Sequence, residues 1–219
     1  MTARASETAI VKAVLDRYPR SYAQMLGIDL GKNTPAPLFQ WLVCALLMSA
    51  RISADKAQEA AKALFDAGWT TPDKMAATSW EERVKVLNEN GYARYDESTA
   101  RYLVDTLDLL DKNYGGDLRR LRDDAGRSPS EERKRLKDFK GIGETGADIF
   151  FREVQRAWEE HYPFCDARAA KAAESLGLPA DGESLAELAG GRQALPRLLT
   201  GLVRTDLDKA KDDILMAAA

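Results

Sequence analysis

The residues best suited to chemistry lie in one stretch, Leu136-Lys-Asp-Phe-Lys-Gly-Ile-Gly-Glu-Thr-Gly-Ala-Asp-Ile. A Gly-apolar-Gly hairpin between two helical patterns can offer backbone N–H groups to an anion. Its glycines allow a tight turn and the close approach of a phosphate. The helix that follows Gly143 adds N–H groups without intrahelical partners and the positive end of its dipole. Between Gly116 and Gly141 stand nine Lys and Arg against six Asp and Glu, an excess of three. A basic stretch beside a phosphate-sized hairpin suits contact with a nucleic-acid backbone. Gly141-Ile142-Gly143 by itself reads as an ordinary helix–helix turn, and a charge run by itself as a solvated face.

Asp166 stands in Pro-Phe-Cys-Asp-Ala-Arg. It precedes a helical run from Ala167 to Leu176 and reads as that helix's N-cap, where the dipole favours an ionised carboxylate. Other chemistries are poorly provided for. The one histidine, His161, lies in a polar Glu-Glu-His-Tyr-Pro stretch, which argues against histidine catalysis and points to an exposed side chain. Two cysteines, Cys44 and Cys165, make neither a disulfide framework nor a four-cysteine zinc or iron–sulfur site.

Composition sets the frame for these residues. The 219 residues carry 32 Lys and Arg and 35 Asp and Glu, a formal charge of −3. That argues against a general polycation, while leaving room for one basic face. With 45% hydrophobic and 31% charged residues, the chain reads as a soluble globular protein. The longest apolar run, Trp41 to Ala50, is interrupted by Ser49 and is too short to span a bilayer. The N-terminal residues show no apolar signal core, so the expected location is the cytoplasm, with no membrane partner.

The elements that must position the candidates are helical throughout. Ile10, Val11, Val14, Leu15 and Tyr18 recur at helical spacing. Pro35 opens a strongly apolar helix through Met48. Ser53, Thr71-Pro72, and Ser79 with Glu82 mark further helix starts, the last as a capping box. Leu103, Leu107, Leu110 and Tyr114 form the next helix face, ended by Gly115-Gly116. Ser128-Pro129-Ser130-Glu131 starts the helix before the hairpin. A helix from about Thr145 carries Ile149, Phe150, Val154 and Trp158 on one side. Ser184 with Glu187, Leu195–Val203 and 206–217 supply the C-terminal helices. About ten short helices and no strand define an all-α chain.

Several stretches together resemble the helix-hairpin-helix DNA glycosylase superfamily, the endonuclease III-like proteins. Phe139-Lys140-Gly141-Ile142-Gly143 matches the hairpin, and Asp166 the aspartate that follows it. Leu46-Leu47-Met48-Ser49-Ala50-Arg51 is similar to a Leu-Leu-Ser-Ala-Gln segment. Gly91-Tyr92, Arg94 and Ala100-Arg101-Tyr102-Leu103 are similar to a further segment of the superfamily. The matches occur in family order over roughly residues 35–178. The resemblance implies two helical lobes. Residues 1–34 and 129–219 would form a discontinuous lobe holding Asp166, and 35–128 a helical bundle. The hairpin, 136–148, would lie near the junction, and the substrate pocket between the lobes. Tyr18, Tyr22, Phe39 and Trp41 are aromatic candidates for its lining, although Trp41 and Trp158, on apolar helix faces, suit a core.

The resemblance also implies roles. Asp166 would be the catalytic carboxylate. Lys137, Lys140, Gly141, Ile142, Gly143 and Thr145 would contact DNA, and Arg51 would wedge into the space left by an extruded nucleotide. The carbonyls of Phe139 and Ile142 match those that hold a monovalent cation. Thr145 occupies the position of the lysine that attacks the sugar in lyase-active members. The four-cysteine cluster segment is missing as well. The implied activity is therefore monofunctional: hydrolysis of the N-glycosidic bond of a damaged or mismatched base in double-stranded DNA, without an iron–sulfur cluster, by a monomer. The alternative is a non-catalytic helix-hairpin-helix DNA-binding protein, and a third reading is an all-helical interaction module with no DNA role.

Overall fold

The structure, a computed structural model, describes residues 5–219. These residues are helical and contain no strand. None of the described helices is long and apolar enough to cross a membrane. The chain divides into two compact units. One is Leu26–Phe150, and the other joins the residues up to Met25 with Phe151–Ala219. Residues 26–34 and 129–150, expected in the discontinuous lobe, thus belong to the central unit. The reason is local packing, described below for the hairpin.

The central unit holds α3 (Pro35–Met48), α4 (Ala54–Asp66), α5 (Pro72–Ala76), α6 (Trp80–Leu87), α7 (Asp96–Tyr114), α8 (Leu118–Asp124), α9 (Pro129–Leu136) and the start of α10 (Glu144–Val154), numbered after α1 (Glu7–Arg17) and α2 (Tyr22–Met25) of the other unit. Helix α3 is apolar all round because it is buried on all sides. Leu38, Trp41, Val43, Ala45 and Leu47 are all inaccessible to solvent. Burying a side chain of leucine or valine size contributes about 1.5–3 kcal/mol, so this helix anchors the unit. Its buried polar atoms are answered. Trp41 Nε1 donates to the Phe150 carbonyl at 3.1 Å, and the Tyr92 hydroxyl donates to the Leu47 carbonyl at 2.7 Å.

Local signals set the helix ends. At α6 the capping box forms in both directions: Ser79 N donates to Glu82 Oε2 at 2.7 Å, and Glu82 N to Ser79 Oγ at 3.1 Å. Pro129 takes the first position of α9, yet the Ser128 hydroxyl makes no capping bond and lies against Ser130 Oγ instead.

The second unit packs α1 and α2 with α11 (Ala167–Leu176), α12 (Gly182–Ala189), α13 (Leu195–Leu207) and α14 (Lys211–Ala217). Ile10, Val14, Ala173, Leu185, Leu198, Leu202 and Ile214 meet in its core. Helices α1 and α13 come close at Gly201, where a Cβ would stand 2.7 Å from Val14 Cγ1. Helix α12 is capped by Asp181, which accepts from Ser184 N at 2.8 Å, and not by Ser184. Gly182, the first residue of the helix, sits against Pro163: a Cβ there would be 1.9 Å from the Pro163 carbonyl oxygen.

Candidate functional site

The hairpin after α9 is shaped by what surrounds it. Phe139 and Ile142 point inward and are buried, while Lys140, Gly141, Gly143, Glu144 and Thr145 are exposed. Ile142 N donates to the Phe139 carbonyl at 2.9 Å and closes the turn. Gly141 is required twice over. Its φ of +91° lies in the left-handed region. A Cβ there would also fall 2.5 Å from Leu46 Cδ1 and 2.9 Å from Tyr102 Cδ2. Gly143 is the opposite case, for a Cβ there would meet nothing within 4 Å. The backbone beside it is open to an approaching group. Helix α10 starts at the next residue, and the N–H groups of its first turn have no intrahelical acceptors.

Separated segments meet here. Leu46 and Tyr102 touch the Gly141 position, and Ser49 Oγ would be 2.5 Å from a Cβ on Gly146. The stretches 46–51, 100–103 and 139–147 therefore form one packed cluster within the central unit. Arg51 is exposed in the turn after α3, and its carbonyl accepts from the Tyr95 hydroxyl at 3.4 Å. Exposed Arg94 stacks on the same Tyr95 ring, 5.4 Å from its centre.

The lysines near the hairpin are exposed, as expected, but they are already paired. Lys137 donates to Glu144, as does Arg133 Nη1 at 3.0 Å, while Arg133 Nη2 reaches Asp148 at 2.8 Å. Lys140 lies 3.2 Å from Asp105 and 5.6 Å from the centre of the Tyr102 ring. The excess of cations counted along 117–140 is thus offset by acids from outside that stretch.

Asp166 belongs to the second unit and caps α11. One carboxylate oxygen accepts from Arg168 N at 3.1 Å and Ala169 N at 3.2 Å. The other accepts from Arg152 Nε at 2.7 Å. Both partners of this ion pair are enclosed, with side chains 4% and 2% exposed. Burial pushes the Asp166 carboxyl up, but the charge and hydrogen bond of Arg152 and the two backbone N–H groups outweigh it, leaving the pKa below the ordinary value. Asp166 is therefore ionised at neutral pH. Neighbouring Cys165 is pushed up to about 12 by burial and stays a thiol.

The polar layer that holds Asp166 was not anticipated from sequence. Arg152, Glu153 and Gln155 are all buried. Glu153 accepts from Ser21 Oγ at 2.6 Å, Tyr22 N at 2.8 Å, Ala23 N at 3.0 Å and Thr200 Oγ1 at 3.1 Å. Burial raises its pKa despite these bonds. Gln155 pins the chain before Asp166, accepting from Phe164 N at 3.0 Å and donating to the Phe164 carbonyl at 2.9 Å. The available signal was three polar residues, Arg-Glu-x-Gln, directly after the apolar Ile-Phe-Phe of α10.

Other expectations are corrected. His161 is buried and stacks on Phe151 with ring centres 3.9 Å apart, because flat imidazole and phenyl faces fill the space together. Tyr18, Tyr22, Phe39 and Trp41 are core residues at most 3% exposed. Trp41 and Trp158 are core, as their apolar helix faces imply. Among the described residues, no group of three His, Cys, Asp or Glu is placed to hold a metal ion.

No protein-family model matches the sequence, and no curated protein sequence matches it. Comparison of the fold with solved structures finds a trapped endonuclease III–DNA covalent intermediate, an estranged-adenine complex, with a TM-score of 0.51. The fold is endonuclease III-like. The alignment covers 89% of this chain and 82% of that one at 16% identity.

Proposed function

We propose that this protein binds duplex DNA through its hairpin and acts as a monofunctional glycosylase of base excision repair. The observation that carries the reading is the hairpin itself. Gly141 is locked in by Leu46 and Tyr102, Gly143 is open, and a helix N-terminus stands directly behind it. Backbone N–H groups at Gly143, Glu144 and Thr145 would receive a phosphate. Arg51, exposed in the turn after α3, would enter the duplex. A monovalent cation on the carbonyls of Phe139 and Ile142 fits this reading, since the Phe139 oxygen keeps a second lone pair beside the Ile142 N–H it accepts. Its part would be structural.

The chemistry is hydrolysis of an N-glycosidic bond in an extruded nucleotide. Its transition state resembles an oxocarbenium ion, which a fixed carboxylate stabilises. Asp166 is ionised, as this role requires. Thr145 offers no amine, so no Schiff base forms there and water completes the reaction. Arg152 compensates much of the Asp166 charge at 2.7 Å, so catalysis requires this pair to loosen when DNA is bound.

One observation favours a non-catalytic DNA-binding protein instead. Asp166 already has three donors and a side chain only 2% exposed. A base-release assay on a panel of single-lesion duplexes, with and without hot alkali, separates the two readings. The glycosylase reading expects cleavage only after alkali, lost in Asp166→Asn but retained in Arg152→Met, which keeps the carboxylate. Binding without cleavage of any lesion supports the alternative. Cleavage without alkali would contradict the assignment of Thr145.

A further inference from the structure

We propose that Glu144 is an internal phosphate surrogate: its carboxylate holds Lys137 and Arg133 in the place of a DNA phosphate, so that binding exchanges one anion for another. The inference rests on the hairpin being the DNA contact. It concerns how tightly, and at what ionic strength, that contact forms.

Three cations flank the hairpin, and each is paired. Lys137 holds Glu144, Arg133 spans Glu144 and Asp148, and Lys140 faces Asp105. In these pairs three positive charges face three negative ones, although the stretch 117–140 alone is basic. Of the three acids, Glu144 has the decisive position. It is the first residue of α10, next to Gly143, where the backbone is open. A phosphate approaching the N–H groups of Gly143 and Thr145 meets the Glu144 carboxylate directly.

Glu144 is also free to leave. Its side chain is 65% exposed, and among the described residues its ion-pair partners are the two cations. Hydrogen bonds from Lys137 and Arg133 hold its pKa below the ordinary carboxylate value, so it remains charged wherever duplex DNA is stable. A phosphate that takes its place inherits Lys137 as a ready donor. Arg133 stays anchored through Asp148 at 2.8 Å. The carboxylate thus keeps the lysine in position for phosphate while weakening capture of any backbone that cannot displace it.

Glu144→Gln keeps the shape and removes the charge, releasing chiefly Lys137. In the unmodified protein the displaced Glu144 carboxylate still competes for Lys137, so removing its charge lets that phosphate be neutralised more fully and steepens the dependence of log K on log salt by up to about 0.9. Removing one surface-strength electrostatic competitor tightens binding about 1.5- to fivefold at low salt. The test is fluorescence anisotropy with an undamaged duplex of about 20 base pairs, titrated at several salt concentrations between about 50 and 200 mM. Circular dichroism melting would check that each variant is folded. Tighter and steeper binding by Glu144→Gln is the expected result. Adding Lys137→Gln should abolish that gain. Asp16→Asn, which removes the equally exposed acid of the Lys12–Asp16 pair on α1, should leave binding unchanged.

Unchanged affinity and slope in Glu144→Gln, with the unmodified protein binding well, would overturn the surrogate and leave the hairpin contact standing. A gain that survives in the double variant, or is matched by Asp16→Asn, would overturn it as a general charge effect. Absence of binding by both the protein and Glu144→Gln at the lowest salt would refute the DNA contact and the surrogate with it.

Discussion

Replacing Asp166 by asparagine tests the polar layer of the second unit. Asparagine caps helices about as well as aspartate, so the bonds to Arg168 N and Ala169 N survive through the amide oxygen. The loss falls on Arg152, whose side chain is 4% exposed and donates to Asp166 at 2.7 Å. Breaking a buried pair from one side costs about 3–5 kcal/mol because a charge remains uncompensated. At about 2–4 °C per kcal/mol for a chain of this size, the melting temperature should fall by about 6–20 °C. Arg152→Met should cost less, about 2–3 kcal/mol, since two backbone N–H groups still serve the carboxylate. The double variant should be more stable than the sum of the two losses predicts.

The pH dependence supplies a second readout. Asp166 has a depressed folded pKa, so its contribution is complete above the unfolded carboxylate value and is lost as pH falls through the folded one. The gap between the protein and Asp166→Asn should therefore narrow as pH falls below the ordinary aspartate value of about 3.9. Urea denaturation across that range measures it. A difference within about 0.5 kcal/mol at pH 7 would refute the buried pair and leave Asp166 available for chemistry.

Other outcomes follow from single contacts. Glu153→Gln places an amide NH2 where the carboxylate accepts two donors per oxygen, and should cost about 2–4 kcal/mol in urea denaturation. Because Glu153 has a raised folded pKa, its share of stability is greatest at low pH and declines as pH rises above about 4.3, a limb the glutamine variant should lack. Gly141→Ala combines a φ of +91° with a Cβ 2.5 Å from Leu46, and should cost about 2–3 kcal/mol by thermal melting as well as weakening duplex binding. Ser79→Ala removes one side of the capping box of α6 and should cost about 1 kcal/mol by the same measurement.

The helical architecture and the hairpin could be read from short-range signals. Glycine spacing at 141 and 143, Pro129, and the Ser79–Glu82 box act within a turn or two of where they stand. The cluster of Leu46, Tyr102 and Gly141 could be read from motif order, although its packing could not. The state of the charges was beyond reach. Lys140 pairs with Asp105 and Arg133 with Asp148, partners 35 and 15 residues away, which a window count along 117–140 does not include. The burial of His161 was missed for a similar reason, since its polar neighbours in sequence say nothing of Phe151 stacked on it. Asp166 was read correctly as an N-cap, whereas Arg152 gave no sign that it would enclose the same carboxylate.

The division of the chain has a consequence for its synthesis. Helix α1 carries Ile10, Val11 and Val14, and their cover includes α13, where Gly201 meets Val14. At about 5–20 residues per second, roughly 10–40 s separate the appearance of these two partners on the ribosome. Through that interval the apolar stripe of α1 lacks its native cover, while all of Leu26–Phe150 is being made. A nascent chain stalled anywhere before α13 should therefore display an N-terminal binding site for chaperones and proteases, and the emergence of α13 should be the moment at which that site closes.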